Sequence, residues 1–163
     1  MAEWINPVFD RTAEDVDSLD RTSAESQKGA LSAADLNRIE GNFAFVLGML
    51  RRNHICVSHV FRNIEETTRN ADGTSTTETY TDWHEHNIPW FSEINRIRRN
   101  HNALAKEYLA GHGLTIYPED DYLDYAEVND WERFVFIARE IFEKMEQDYR
   151  YCGTEDSGGG RLL

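Results

Sequence analysis

Three stretches of the sequence repeat one helix-start pattern, and this repeat constrains the fold more than any other feature. The copies run over residues 31–42, 89–100 and 123–134. Aligned on a shared asparagine, each copy has an acidic residue two positions earlier and an aliphatic residue directly before it. The aligned positions are Asp35, Glu93 and Glu127, then Asn37, Asn95 and Asn129, then Arg38, Arg96 and Asp130. Each copy opens a run with helical hydrophobic period, so the chain is predicted to contain three helices that begin alike.

These runs predict helices near 32–52, 89–110 and 124–150. Apolar residues recur at spacings of three and four, as in a helix that buries one face. The third run is the most regular, from Val128 to Tyr149, and its wide apolar stripe predicts a central helix with neighbours on two sides. The expected fold class is mainly α with a small β part (α+β), built on a three-helix core.

The repeated positions are interpreted as structural. Asn is unfavourable inside a helix because its amide competes for nearby backbone groups. Three copies beside apolar residues therefore predict that each amide binds a chain segment crossing the helix start; ligand binding is the alternative. The three starts are expected to pack together. Asp130 stands where the other copies have Arg38 and Arg96, and this reversal predicts an ion pair between Asp130 and one of them.

Residues 54–83 change to an alternating, strand-like pattern. Alternate positions are apolar or aromatic from Ile55 to Phe61, and alternate threonines lead to Trp83. Because residues 70–74 between them have turn composition, we expect a β-hairpin or flap around 55–83. Its role is left open between a surface excursion and a finger that contacts a partner.

The length of 163 residues favours one packed domain, predicted over 1–150 with the hairpin as an insertion. The Gly-rich residues 151–163 are expected to form a flexible C-terminal tail. Cys56 and Cys152 show no metal or redox spacing, and two buried free thiols in a reducing compartment are favoured over a disulfide.

Charge and hydropathy exclude two classes of partner. Thirty acidic residues against 17 basic ones give a formal net charge of −13, which repels phosphates and argues against nucleic acid. No apolar run approaches the roughly 20 residues of a spanning helix, so no membrane insertion is expected. The first residues lack the pattern of a signal peptide, which predicts synthesis in the cytoplasm.

No motif in the sequence predicts catalysis or a cofactor. The spacing of His84 and His86 suits two ligands on one strand, but no further donor is selected, so they are only weak metal candidates. Neither a nucleophile elbow nor a phosphate-binding loop is present. We therefore expect a protein that is not an enzyme. Trp4, Ile5, Val8 and Phe9 are too apolar for a free terminus and are the predicted interface residues.

Five segments in order carry a resemblance. They are residues 4–12, 35–42, 88–100, 128–132 and 151–158. Together they resemble a family of small structural proteins from tailed bacteriophages and prophages of Gram-positive bacteria. The resemblance covers both ends and most of the middle of the chain, and covers residues 54–83 least. It brings no catalytic residues with it.

The resemblance implies a virion component of the tail tip, baseplate or fibre assembly that acts through protein–protein contacts. Expected partners are other tail, baseplate or fibre proteins or further copies of this chain, and the expected location is the virion tail after synthesis in the host cytoplasm. The alternative is a carbohydrate-binding module at the phage tip, with Trp83 and Trp90 as candidate contacts to host cell-wall glycans.

Overall fold

The computed structural model describes residues 3–20, 22, 27–85, 87, 89–119 and 122–155. Within them lie the helices α1 (Ala13–Asp17), α2 (Ala33–Arg52), α3 (Phe91–Glu107) and α4 (Tyr125–Glu155). Two strands, β1 (Ile64–Arg69) and β2 (Ser75–Tyr80), pair antiparallel. The chain is mostly helical with a small β part, which confirms the expected fold class at this level.

Short polar side chains define where the helices begin. Ser32 caps α2 by accepting a hydrogen bond from the Asp35 amide, and the Asp35 carboxylate binds the Ser32 N–H in return. At the start of α4, the Asp124 carboxylate accepts from the Glu127 amide at 2.8 Å. Helix α3 instead follows Pro89, with no side-chain cap on its first amides.

The three long helices begin at the same end of the molecule and run in the same direction. Contacts between α2 and α4 join Arg38 to Glu132 and, further along both helices, Phe45 to Arg139. Contacts between α3 and α4 join Arg98 to Glu127 and, further along, Tyr108 to Met145. Long connections therefore follow α2 and α3 and bring the chain back to the starting end of the molecule.

The core consists of two apolar clusters. One gathers the first turns of all three helices, which confirms that the repeated starts pack together; its buried members are Leu36, Ile39, Trp83, Ile94, Ile97, Val128 and Trp131. The second fills the space between the following turns, and includes Phe43, Leu50, Leu104, Leu109, Phe134 and Val135. Helix α4 contributes to both clusters.

The strands begin later than the alternating pattern indicated. Strand β1 starts at Ile64, and residues 55–63 form no strand. Val57 of this stretch is buried in the core, and the N–H and C=O of Val60 bind a side chain of α3 and not a neighbouring strand. Cys56 is a free thiol as expected, but its predicted burial is wrong, because it is exposed. At the hairpin turn, Gly73 has φ +84°, a conformation that favours glycine.

The last helix is longer than expected. The predicted flexible tail begins at 151, whereas α4 continues to Glu155 and includes Gly153. Residues 156–163, the rest of that tail, lie outside the described residues. With 31 residues, α4 is the longest of the described helices.

Truncation of core residues tests the packing. We expect Phe43→Ala and Val135→Ala each to lower the free energy of unfolding by roughly 2–5 kcal/mol, because both side chains are buried. The matched control, Ile116→Ala, removes an exposed side chain and should change it by less than about 0.5 kcal/mol. Urea denaturation followed by circular dichroism measures all three, and equal small effects would contradict this core.

Candidate functional site

Five of the described asparagines on the long helices each bind both backbone groups of one residue in a crossing segment. The side-chain amide donates to the C=O and its oxygen accepts from the N–H, at 2.6–3.1 Å. The pairs are Asn37 with Trp83, Asn42 with Ile5, Asn100 with Val60, Asn102 with Tyr117, and Asn129 with Arg11. We call this arrangement an asparagine clamp.

The sequence predicted this role for three asparagines, and two of them follow it. Asn37 and Asn129 each hold a segment across a helix start. Asn95 differs, because its Oδ1 accepts from Arg98 Nη1 at 2.6 Å within the same helix. Sequence reasoning missed the clamps at Asn42 and Asn100, although both stand five residues after an aligned asparagine.

A buried ion cluster joins the N-terminal segment to α2 and α4. Glu132 binds Arg38 through both carboxylate oxygens, at 2.8 and 3.0 Å, and binds Arg11 at 3.1 Å. Asp35 binds the same two guanidinium groups at 2.6 and 2.9 Å. Burial alone would raise the pKa of Asp35, but hydrogen bonds from Ser32 and the Arg38 charge lower it below its ordinary value.

The other two helix starts carry ion pairs of the same kind. In α3, Arg96 binds Glu93 at 3.0 Å and both oxygens of Glu40 in α2 at 2.5 and 3.0 Å. Glu127 of α4 is bound by Arg98 of α3 through two bonds of 2.6 and 2.8 Å, and both side chains are fully buried. Each repeated acid is therefore paired with an arginine.

The predicted ion pair of Asp130 is wrong. Asp130 accepts a hydrogen bond from the Tyr117 hydroxyl at 2.7 Å and lies 3.5 Å from Arg133. Arg38 and Arg96 are already engaged by two carboxylates each. The third copy needs no arginine at this position, since Arg98 of α3 neutralises Glu127.

The predicted interface residues at the N-terminus bind their own chain. The rings of Trp4 and Phe45 lie 5.7 Å apart, those of Phe9 and Phe136 lie 5.6 Å apart, and the Val8 N–H donates to Glu132 at 2.7 Å. Ile5 is 54% exposed, but Asn42 holds its backbone. This segment is part of the fold, which removes the reason for assigning it to an interface.

The weak metal candidates do not form a defined centre. His84 is exposed, with its ring 5.0 Å from that of Tyr80, and His86 lies outside the described residues. Among the described residues, no group of three or more His, Cys, Asp or Glu side chains could hold a metal ion.

His101 is a titratable group buried in the core. Its Nδ1 bonds to the Ile97 carbonyl at 2.9 Å, and its ring stacks on Trp131 with 5.6 Å between centroids. Burial lowers the pKa of His101 to about 4. The imidazole is therefore neutral at physiological pH, and its side chain is buried.

A cavity of about 390 Å³ lies between α2 and the base of the hairpin. Its wall includes Arg62, whose guanidinium carbon lies 4.0 Å from the centre of the Trp83 ring. Trp83 is buried and donates through Nε1 to Glu40 at 2.6 Å. This places Trp83 in the core, so its ring presents no face for stacking against a sugar.

Exposed apolar side chains occur at the start of α3 and in the segment that crosses this helix. Trp90 is 70% exposed, its neighbour Phe91 is exposed, and so are Val60 and Phe61 of the crossing segment. Val60 is fixed to α3 because its carbonyl accepts from Asn100 at 2.8 Å and from Arg96 at 3.2 Å. We call these four residues the α3 surface.

Comparison with protein-family models, curated proteins and solved structures finds no match. Within the described part of the chain, no helix is long and apolar enough to cross a membrane.

The clamps can be tested at Asn129. Asn129→Ala leaves the N–H and C=O of Arg11 without their partners at a buried position, and each such group costs about 1–3 kcal/mol. We expect a loss of roughly 2–5 kcal/mol in unfolding free energy. The control Asn70→Ala lies in the exposed hairpin turn and should leave the helical melting transition unchanged. Equal losses at both positions would argue against the clamp.

The stability of the protein should depend on pH through His101. Its folded pKa of about 4 lies below the ordinary 6.5, so between these values the unfolded chain binds more protons. Stability is therefore lost as pH falls from about 6.5 to 4, by about 3 kcal/mol. Denaturant titrations across this range measure it. His101→Gln should flatten the dependence, whereas His112→Gln, at an exposed position, should not.

Proposed function

We propose that this protein is a non-enzymatic structural component of a tailed-bacteriophage virion, located in the tail tip, baseplate or fibre assembly. It acts through protein–protein contacts, and the observation that carries this proposal is the α3 surface. Trp90 and Phe91 are adjacent at the start of α3 and are both exposed, and neighbouring exposed apolar side chains mark a site of association. An exposed tryptophan flanked by a phenylalanine matches the aromatic enrichment of protein interfaces.

The location of the motif residues supports this class of function. The segments that carry the resemblance contain Asp35, Arg38, Asn129 and Glu132, and these side chains hold the N-terminal segment to α2 and α4. Residues 88–100 likewise contain the arginines that join α3 to its neighbours. The shared motifs thus build the fold, as expected for a protein whose role is to be a rigid part of an assembly.

The α3 surface also favours a second candidate function. Trp90 presents an exposed indole, the kind of flat apolar face on which sugar rings stack. A carbohydrate-binding module at the phage tip would use Trp90. Trp83 is unsuitable for this role because it is buried and Arg62 covers its ring.

Virion association is the decisive property. We expect the protein in mass spectra of purified virions, with immunogold label on the tail. Phage carrying Trp90→Ser together with Phe91→Ser should lose the protein from the tail, since the substitutions remove apolar area from the α3 surface. The matched control is Tyr122→Ser, which changes an aromatic residue that is 96% exposed and stands apart from this surface in sequence.

Two results would count against the structural role. A monomeric protein absent from purified virions excludes it directly. The carbohydrate-binding alternative would be favoured if the protein stays on tails and also binds isolated cell-wall glycans. The single substitution Trp90→Ser should then abolish the glycan binding. Circular dichroism of each purified variant separates loss of binding from loss of folding.

A further inference from the structure

Arg62 differs from the other buried arginines of the described chain. Arg11, Arg96 and Arg98 are also buried, and each of them binds at least one carboxylate of this protein. Arg62 is 4% exposed and forms no ion pair with any carboxylate of the described residues. Because a buried charge without a counter-charge is unfavourable, Arg62 is suited to a carboxylate that comes from another molecule.

The edge of the guanidinium group formed by Nε and Nη2 is the one that binds carboxylates elsewhere in this protein. Arg38 binds Glu132 through these two nitrogens at 3.0 and 2.8 Å, and Arg98 binds Glu127 through them at 2.6 and 2.8 Å. Such paired bonds fit the two oxygens of a carboxylate. In Arg62, the Nε of this edge is buried and has no hydrogen-bond partner among the described residues.

The contacts that hold the Arg62 guanidinium leave this edge weakly used. Nη1 donates to the Asp82 carbonyl, and the Trp83 ring supports one face of the group, with 4.0 Å between Cζ and the ring centroid. Nη2 has a long contact of 3.4 Å to Asn87 Oδ1, and that oxygen already accepts from the His84 N–H at 2.8 Å. A carboxylate can therefore bind Nε and Nη2 while Asp82 and Trp83 keep the guanidinium oriented.

Arg62 also lines the cavity of about 390 Å³ between α2 and the base of the hairpin. Gly41 and Ala44 of α2 contribute small apolar groups to the wall, and Phe61 contributes an aromatic ring. A mostly apolar space with one charged group is typical of sites for small organic molecules, in which the polar group fixes the orientation of the ligand. The cavity thus offers room for a hydrocarbon group attached to the carboxylate.

The charges around the cavity favour a ligand with a single negative charge. Glu40 also lines the cavity, but Arg96 binds both of its oxygens and compensates its charge. Asp82 is exposed, so its charge is screened by solvent. The formal net charge of −13 opposes a phosphate or a polyanion more strongly than it opposes a monocarboxylate.

We propose that Arg62 and this cavity form a binding site for a carboxylate attached to a small apolar group. The carboxylate oxygens accept from Nε and Nη2 of Arg62, and the apolar group packs on Gly41, Ala44 and Phe61. The same chemistry recognises a free organic acid and the acidic side chain of a partner protein. This inference goes beyond the virion role and does not depend on it, because it follows from one guanidinium group and its cavity.

The probes are benzoate, benzamide and benzylamine, which have similar size and are an anion, a neutral molecule and a cation. Nuclear magnetic resonance of the arginine Nε–H groups in the full-length protein follows each titration, and Arg62→Lys identifies the Arg62 signal by its loss. Benzoate should shift this signal and bind at least about tenfold more tightly than benzamide. Benzylamine should leave it in place.

A second titration distinguishes the two sources of the carboxylate. It uses a blocked peptide, acetyl-Ala-Glu-Ala-amide, which presents the acid as a protein partner would. Tighter binding of benzoate than of this peptide assigns the site to a free organic acid. Tighter binding of the peptide assigns it to an acidic side chain of a partner.

Two variants locate the binding. Arg62→Lys keeps the charge but removes the paired Nε and Nη2 donors, so benzoate should bind at least about tenfold more weakly. Gly41→Leu fills the cavity without altering Arg62, because a Cβ at this position meets no other atom within 4 Å. It should abolish benzoate binding. The matched control is Gly48→Leu, which is equally open and stands two turns further along α2, away from the described cavity wall. It should bind benzoate as the parent protein does.

Three outcomes overturn the inference. They are an Arg62 signal that neither acid shifts at concentrations up to about 10 mM, equal binding of benzoate and benzamide, and benzoate binding that persists in Gly41→Leu. Circular dichroism checks the folding of each variant, and Gly41→Leu keeps the test decisive if Arg62→Lys fails to fold. Because virion association is measured separately through the α3 surface, a negative titration with intact tail incorporation rejects this inference alone.

Discussion

The gathering of three helix N-termini at one end of the molecule is the constraint on which the rest of the structure depends. Each N-terminus carries a partial positive charge from its aligned peptide dipoles, and parallel helices place these charges side by side. The charged side chains around them compensate. The ion-paired carboxylates are those of Asp35, Glu40, Glu93, Glu127 and Glu132, and the guanidinium groups are those of Arg11, Arg38, Arg96 and Arg98. With Asp124 at the start of α4, the carboxylates outnumber the guanidinium groups, and negative charge is the sign that the three dipoles favour.

Parallel helices require long connections, and the asparagine clamps show how such connections are held without a sheet. An amide side chain offers one donor and one acceptor, the same pair that a neighbouring strand would offer. A single clamp fixes Val60 on α3, and another fixes Tyr117 near the return to α4. At each clamped residue the backbone N–H and C=O are both hydrogen-bonded without a neighbouring strand. Strands β1 and β2, which lie in the connection between α2 and α3, pair with each other.

Local sequence patterns predicted much of this organisation, and the predictions that failed did so for physical reasons. Capping residues and apolar periodicity located the helices to within a few residues, because both act within one or two turns. The clamp role of Asn37 and Asn129 followed from the cost of asparagine inside a helix. The partner of Asp130 could not be predicted from the aligned copies. The arginine that the third copy lacks is supplied by another helix, where Arg98 binds Glu127. Burial of Trp4 and Phe9 on the same chain was likewise invisible, since composition reports that a residue is apolar and not which surface covers it.

The ion cluster around Glu132 has a consequence for the order of folding. The residues that meet there are far apart in the chain: Val8 and Arg11 bind a carboxylate more than 120 positions later. During synthesis the first segment emerges long before α4, so its contacts with Asn42 and Asp35 of α2 become possible first and those with Glu132 become possible only later. Contacts between segments so far apart form slowly compared with those of a bundle of helical hairpins of the same size. Docking of the N-terminal segment on Glu132 is therefore expected to follow the synthesis of α4.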